Sequence, residues 1–287
     1  MLTRLGTNGW RAEHWRLLRL ALGSYLAVHF ALLLPWAAEL FSSAGMVSDA
    51  HASPLFGLLP SPLELADTPR VATGLVALGM VAGVAMVLDR GARPAAVVGW
   101  YVLAVLLARN PLILNPALPT VGWTLLWFAA VRSPKGADWR LPPELYAAAW
   151  LLGGLSLTWS AATKLGSMSW LDGTALIWLW DNPLARDTAL RAALTHAPEL
   201  PVRLLTWGAL LLEASALPAA LSTRLRPAVW LGVLALHLGL LVTVDFADLT
   251  AGMLVGHLAL FDPAWLRGRL APCSASSPST TTPACST

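Results

Sequence analysis

The sequence predicts an all-α polytopic integral membrane bundle of about eight transmembrane spans with short interfacial helices, and three observations predict it. Hydrophobic residues fill 56% of the 287 positions and charged residues only 12%, about half the ~25% of a soluble globular chain. Mean hydropathy is +0.62. Several apolar runs approach or exceed the roughly 20 residues that cross ~30 Å of hydrocarbon. The net charge of +3 comes without basic and aromatic residues interleaved, so the expected partner is the lipid bilayer and no nucleic acid.

The elements follow in chain order. Residues 1–16 form a cytoplasmic N-terminal segment with Arg4, Arg11 and Arg16. No small-residue cleavage site follows the first apolar run, 17–41, which reads as an anchor that stays. A polar stretch, 42–70, leads to apolar segments 71–88, 95–108 and 118–131. The last two are short for straight spans. The link between them, "RNPLILNPALP", is therefore expected at the outer membrane boundary, where non-helical backbone needs protein or a wet cavity to satisfy it. Asn110 and Asn115 of that link are candidate cavity residues.

Segment 144–165 is followed by a second polar stretch, 166–202. Its "WLDGTALIWLW" is tryptophan-rich, as suits a helix at headgroup level. "NPLARDTALRAALTHAPE" has Pro near the start of a helical pattern and Pro198 after its end. One or two short helices capping the outer side are expected. Segments 203–222, 227–244 and 249–262 complete a transmembrane domain spanning 17–266. Residues 267–287 read as a disordered Ser/Thr/Pro-rich cytoplasmic tail. The two cysteines, Cys273 and Cys285, fall there and support neither a disulfide framework nor a metal cage.

Positive charge orients the bundle. With the N-terminus inside and eight crossings, thirteen of the nineteen Lys and Arg residues lie in cytoplasmic segments, as the positive-inside rule requires. Both termini are then cytoplasmic. Gly74, Gly79 and Gly83 read as helix-packing positions.

The candidate chemistry begins with Lys164, one of two lysines against seventeen arginines, near the outer end of its span. Either side chain would snorkel its charge to the headgroups. Only a lysine can lose its proton on burial and act as a base or nucleophile. Ser156 and Ser160 precede Lys164 at intervals of four, making a polar stripe on one helical face. Glu213 comes out near mid-membrane, where an acidic group costs ~2.5–3.5 kcal/mol and must be neutralised or paired. A proton or substrate contact and a structural hydrogen bond both remain open for it. His237 comes out at similar depth, as do His29 and His257. Asp245, close to the outer boundary, is expected on the helix of His237, about 80° around it, so both can face one cavity. No metal site is expected from histidines so spaced, and no phosphate loop or serine elbow occurs.

Four stretches carry a resemblance: "LRLALGSYLAVHFALLLPWAAELFSSAGMV", "RNPLILNPALP", "SAATKLGSMSWLDGTAL" and "LEASALP…RLRPAVWLGVLALHLGLLVTVDFADLTAGMLVGHLALF". In this order and spacing the chain resembles the HTTM (horizontally transferred transmembrane) family, related to the membrane domain of vitamin K-dependent γ-carboxylase, over about residues 15–266. The resemblance implies Lys164 as the base that deprotonates a quinol such as vitamin K hydroquinone or menaquinol, with His237 as the later-helix histidine. Trp170 and Gly173 match the Trp and Gly that follow the lysine, and Asp172, Glu213 and Asp245 join them around the expected cavity. The chain departs from the carboxylases at Thr163, where a second lysine stands, and at Leu240, where they carry an asparagine. It has no counterpart of their large lumenal portion, so peptide carboxylation by this chain alone is not expected.

The short bacterial members it resembles most include membrane proteins that mature sporulation-delaying-type toxins. Two readings therefore stay open. One is a quinone- or lipid-linked membrane enzyme, carboxylase-epoxidase-like, in the bacterial cytoplasmic (inner) membrane. The other is a non-catalytic or co-catalytic partner in maturing or exporting a secreted peptide toxin, beside a second maturation protein.

Overall fold

The computed structural model describes residues 2–266, with side-chain surroundings from Arg4 onward; the expected tail, with Cys273 and Cys285, lies outside the described residues. Eight helices of fourteen residues or more carry the architecture: α1 (Ala12–Leu33), α2 (Pro69–Val87), α3 (Ala92–Arg109), α4 (Ala117–Ala130), α5 (Pro143–Lys164), α6 (Glu199–Ala214), α7 (Arg226–Thr243) and α8 (Ala247–Leu260). Among the described residues no strand forms, and one antiparallel bridge joins Ala185 to Val244.

Each long helix corresponds to one apolar segment, with boundaries set by local chemistry. Helix α1 begins ahead of the apolar run because Trp15 packs inward, stacked on Phe128 at 4.5 Å. Pro35 turns its far end into a 3₁₀ turn, Leu34–Trp36, before Ala37–Phe41 resumes the helix.

Five helices are long and apolar enough to cross a membrane: Ala12–Phe41, Pro69–Val87, Ala92–Arg109, Pro143–Lys164 and Arg226–Thr243. The other three are shorter than those five, as expected for 118–131, each because the chain leaves helical geometry. Helix α4 starts only after Asn115-Pro116, and α8 only after extended Val244. Helix α6 breaks at Ser215 before resuming as Ala216–Ala220. Pro218 has no N–H for the carbonyl of Ala214. The Thr158 hydroxyl of α5 lies 3.3 Å from that oxygen and accepts the Leu217 N–H at 3.1 Å.

Successive helices run antiparallel. Arg19, early in α1, donates to the carbonyls of Met86 and Val87 at the end of α2. Arg93, early in α3, reaches the Ala129 carbonyl at the end of α4 at 2.7 Å, and Trp127 of α4 reaches Leu145 of α5 at 2.7 Å. Gly232 of α7 lies against Leu212 of α6, and Trp230 of α7 donates to His257 of α8 at 2.9 Å.

Helix α8, polar only at Asp248, Thr250 and His257, is central: it packs on α1, α4, α5 and α7. Gly252 and Gly256, one turn apart, admit that packing, since a Cβ at either would stand within 2.8 Å of Ala117 or Thr120. Helices α1 and α2 meet backbone to backbone at Gly23 and Gly83, and Gly79 lies under the Phe30 ring. Gly74, expected at such an interface, instead faces open space; it sits on the outward face of α2.

The outward faces are apolar. Leu32, Val81, Leu155, Leu211 and Leu231 are all more than half exposed, as suits a surface solvated by lipid. One end of the bundle gathers Trp10, Trp15, Trp127 and Trp139 into ring contacts, with Trp150, Trp230 and Trp265 beside them. The opposite end is covered by residues 166–198, which form three short helices where one or two were expected: Met168–Leu171, Ala175–Trp180 and Ala189–Thr195. Gly173, at φ +83°, separates the first two. Thr188 starts the third by accepting the Arg191 N–H.

Candidate functional site

Ser156, Ser160 and Lys164 stand one turn apart on α5 and line one cavity of about 1080 Å³, enclosed by α5, α6, α7, α8 and the short helices. Lys164 is the last residue of α5. Its side chain turns back toward the preceding turn, the direction helical side chains favour, and donates to Ser160 Oγ at 2.7 Å. The same Nζ meets Glu213 Oε2 of α6 at 2.5 Å and lies 5.1 Å from the centre of the Trp170 ring. The carboxylate expected to need a partner thus has one, and both members of the pair are largely buried.

His237 of α7 lines the same cavity. Its Nδ1 lies 2.8 Å from the Val233 carbonyl one turn back and 3.2 Å from Nε2 of His257 on α8. The carbonyl assigns the proton to Nδ1. His257 Nδ1 is buried with no hydrogen-bond partner among the described residues. The remaining wall is mostly apolar and aromatic, with Trp159, Trp170 and Trp178 toward the covered end.

The cavity therefore collects Lys164, Trp170, Glu213 and His237, and the other sequence candidates lie outside its lining. Asp245 does not share a helix with His237. Helix α7 ends at Thr243 and Val244 is extended, because residues 184–186 pair with the chain there. Arg186 N donates to Thr243 O at 2.9 Å and Asp245 N to Leu184 O at 2.6 Å. The Asp245 carboxylate then meets Arg186 at 3.0 Å in an exposed ion pair.

Asp172 is exposed and accepts from the Thr174 N–H at 2.9 Å and its hydroxyl at 2.6 Å. Those two hydrogen bonds hold its carboxyl below the usual carboxylate range. Gly173 serves the same turn, packed on Arg203 and Trp207.

The two asparagines of the 109–119 link share one design. Asn110 Oδ1 accepts Leu112 N and its amide donates to Leu40 O at 2.8 Å. Asn115 Oδ1 accepts Ala117 N and its amide donates to Asp248 Oδ2 at 2.5 Å. Each side chain starts the turn after its proline and spends its NH₂ on a distant element. Their neighbours Leu114, Pro116 and Pro119 supply one wall of the cavity.

Three further charged groups escaped the sequence reading. Arg109 is fully buried and joins Val47 O at 2.6 Å to Asp67 at 3.0 Å, pinning the 42–68 stretch to the bundle. Arg226 is buried against Trp150 and Tyr146 at the opposite end. Asp248 binds His29 at 3.0 Å. The one sequence signal for Asp248 is a second carboxylate three residues after Asp245 inside an apolar run. Among the described residues no group of three or more His, Cys, Asp and Glu is placed to hold a metal ion.

Compared with family models, curated proteins and solved structures, the chain matches none. Chemically, the arrangement is an apolar chamber with one ionic edge. The amine and the carboxylate share one charge-assisted hydrogen bond. A ligand hydroxyl within reach would meet the carboxylate as an acceptor.

Proposed function

We propose that this chain is an HTTM-like membrane protein crossing the bilayer eight times, with both termini cytoplasmic, and that the Lys164 cavity opens to the outer half of the bilayer. The alternating helices support eight crossings. Helices α4 and α8, each about 21 Å long at ~1.5 Å per residue, are extended outward by residues 109–116 and 244–246. The end that gathers Trp10, Trp15 and Trp230 also carries Arg11, Arg16, Arg90, Arg93, Arg132, Arg140 and Arg224, which supports placing it inside.

Within that frame the cavity is the site of a quinone-linked enzyme. The Lys164–Glu213 pair on the edge of an otherwise apolar chamber carries the reading. Its residues fit a ring-and-tail amphiphile: Trp170, Trp178 and Leu176 offer flat apolar walls, and the ionic pair offers one hydrogen-bonding edge. A quinol such as menaquinol or vitamin K hydroquinone would supply a transferable hydroxyl proton and a pair of electrons. Lys164 Nζ acts as the base once its own proton has passed to Glu213; the pair is then neutral before it takes the quinol's proton and carries one positive charge, balanced by the quinolate, after it. Ser160 holds the amine in place, and Trp170 and Trp178 keep water from the pair.

The test is extraction. The protein is purified in lipid nanodiscs and its bound lipids are measured by mass spectrometry beside a variant, Ser160→Trp, whose indole projects into the chamber next to the ionic pair. Isoprenoid quinone should be retained near one per chain in the wild type and be lost from the variant. Equal, trace quinone in both would remove the quinone-linked reading.

A further inference from the structure

A second cavity, of about 450 Å³, opens between α1 and α8 on the side of α8 away from Lys164. Leu249, Thr250 and Met253 face the first cavity, while Asp248, Ala251 and Leu254 face the second. Its wall is apolar except at one place, where His29 and Asp248 meet with Ser24 and Tyr25 beside them.

That place is built to aim one atom. His29 Nδ1 lies 3.0 Å from Asp248 Oδ1, and Asp248 Oδ2 accepts from Asn115 at 2.5 Å. Asn115 is itself fixed by accepting the Ala117 N–H in the turn that leads into α4. The imidazole lies nearly parallel to the Tyr25 ring, centroids 5.6 Å apart, and meets the Phe30 ring at 73°. Asp248 claims the Nδ1 proton, which leaves Nε2 of the neutral ring as an acceptor. No hydrogen bond engages Nε2 among the described residues. A carboxylate, an asparagine and two rings thus orient an imidazole whose working nitrogen has no protein partner.

We propose that the α1–α8 groove is a second ligand site, taking a membrane amphiphile whose head is a hydroxyl donor, with His29 Nε2 accepting that hydroxyl and the alkyl chain along Ala21, Ala251 and Leu254. Beside the Ser24 and Tyr25 hydroxyls, His29 Nε2 accepts the proton that an alcohol gives and an ether lacks, and Asp248 repels a carboxylate. The volume suits one chain and a small head rather than a two-chain phospholipid. The inference rests on the lipid-solvated exterior but not on the ligand of the Lys164 cavity.

The experiment uses the full chain in phosphatidylcholine nanodiscs with hexadecanol carrying a diazirine in its chain, and the methyl ether of the same probe. After photolysis, labelled peptides are mapped by mass spectrometry. The alcohol should label α1 and α8 peptides about five- to tenfold more than the ether, the preference one hydrogen bond gives. His29→Phe should abolish that preference. Ala251→Trp, whose indole takes up the groove beside the dyad, should abolish labelling altogether, and Ser160→Trp in the other cavity should leave it intact. If His29→Phe fails to fold, Ala251→Trp and the alcohol-to-ether ratio decide alone. Equal labelling by both probes, or labelling that persists in Ala251→Trp, would overturn the proposal. A loss in Ser160→Trp would assign the probe to the first cavity and overturn it too.

Discussion

Lys164 and Glu213, 49 residues apart in sequence, meet at 2.5 Å across the α5–α6 interface. Neither charge is affordable alone at that depth, and the pair sits where α5 ends and α6 is about to break. Removing one partner strands the other. Lys164→Met and Glu213→Leu should each destabilise by about 3 kcal/mol, somewhat below the full cost of breaking a buried pair because Lys164 keeps some exposure. The double variant should recover most of that loss. Thermal unfolding in one detergent measures it, and additive losses would show that the two groups act independently. Glu213→Gln, which still accepts a hydrogen bond from Lys164, should lie between wild type and Glu213→Leu.

Lys164→Arg separates charge from proton transfer. Arginine keeps the ion pair with Glu213 but cannot give up its proton at accessible pH. The variant should fold and retain bound quinone, while epoxide formation from added quinol and dioxygen in membranes should fall about a hundredfold or more, the usual loss when a general base is removed. Full activity in the variant would leave Lys164 as an anchor only.

Arg109 should prove indispensable to the long outer loop. Asp67→Ala leaves a fully buried guanidinium without its carboxylate, at a cost of order 3 kcal/mol. Residues 43–66 should then become the first site cut by limited proteolysis. An unchanged cleavage pattern would mean that Val47 and Asn110 hold the loop by themselves.

The glycines of α2 should differ sharply. A Cβ on Gly83 would stand 2.4 Å from the backbone nitrogen of Ala27, and one on Gly74 would meet nothing within 4 Å. Gly83→Leu should therefore cost more than the ~1–3 kcal/mol typical of overpacking, and Gly74→Leu should be nearly silent. Comparable melting temperatures for the two variants would refute this α1–α2 packing.

Topology is open to reporter fusions. Insertions between Ser42 and Asp67 and between Asp187 and Glu199 should report an external location, and one between Arg132 and Arg140 a cytoplasmic one. An inverted signal at either outer loop would place the Lys164 cavity on the cytoplasmic side.

The sequence by itself determined the class and the count of long elements. Charge scarcity and run length are local properties, and a stretch such as 144–165 has no alternative to a helix when its backbone must be satisfied in an apolar solvent. The Ser156–Ser160–Lys164 stripe was legible for the same reason, because one helix sets its own spacing. Only the tertiary structure decided which charges meet. That Lys164 finds Glu213 depends on the register of two antiparallel helices. That Asp245 leaves the cavity depends on residues 184–186 pairing with the end of α7. Asp248 reaches His29 because α8 runs antiparallel beside α1, with Asn115 holding the other carboxylate oxygen. Each of those contacts joins segments far apart in the chain, and no period or propensity within a segment encodes the depth at which its partner will lie.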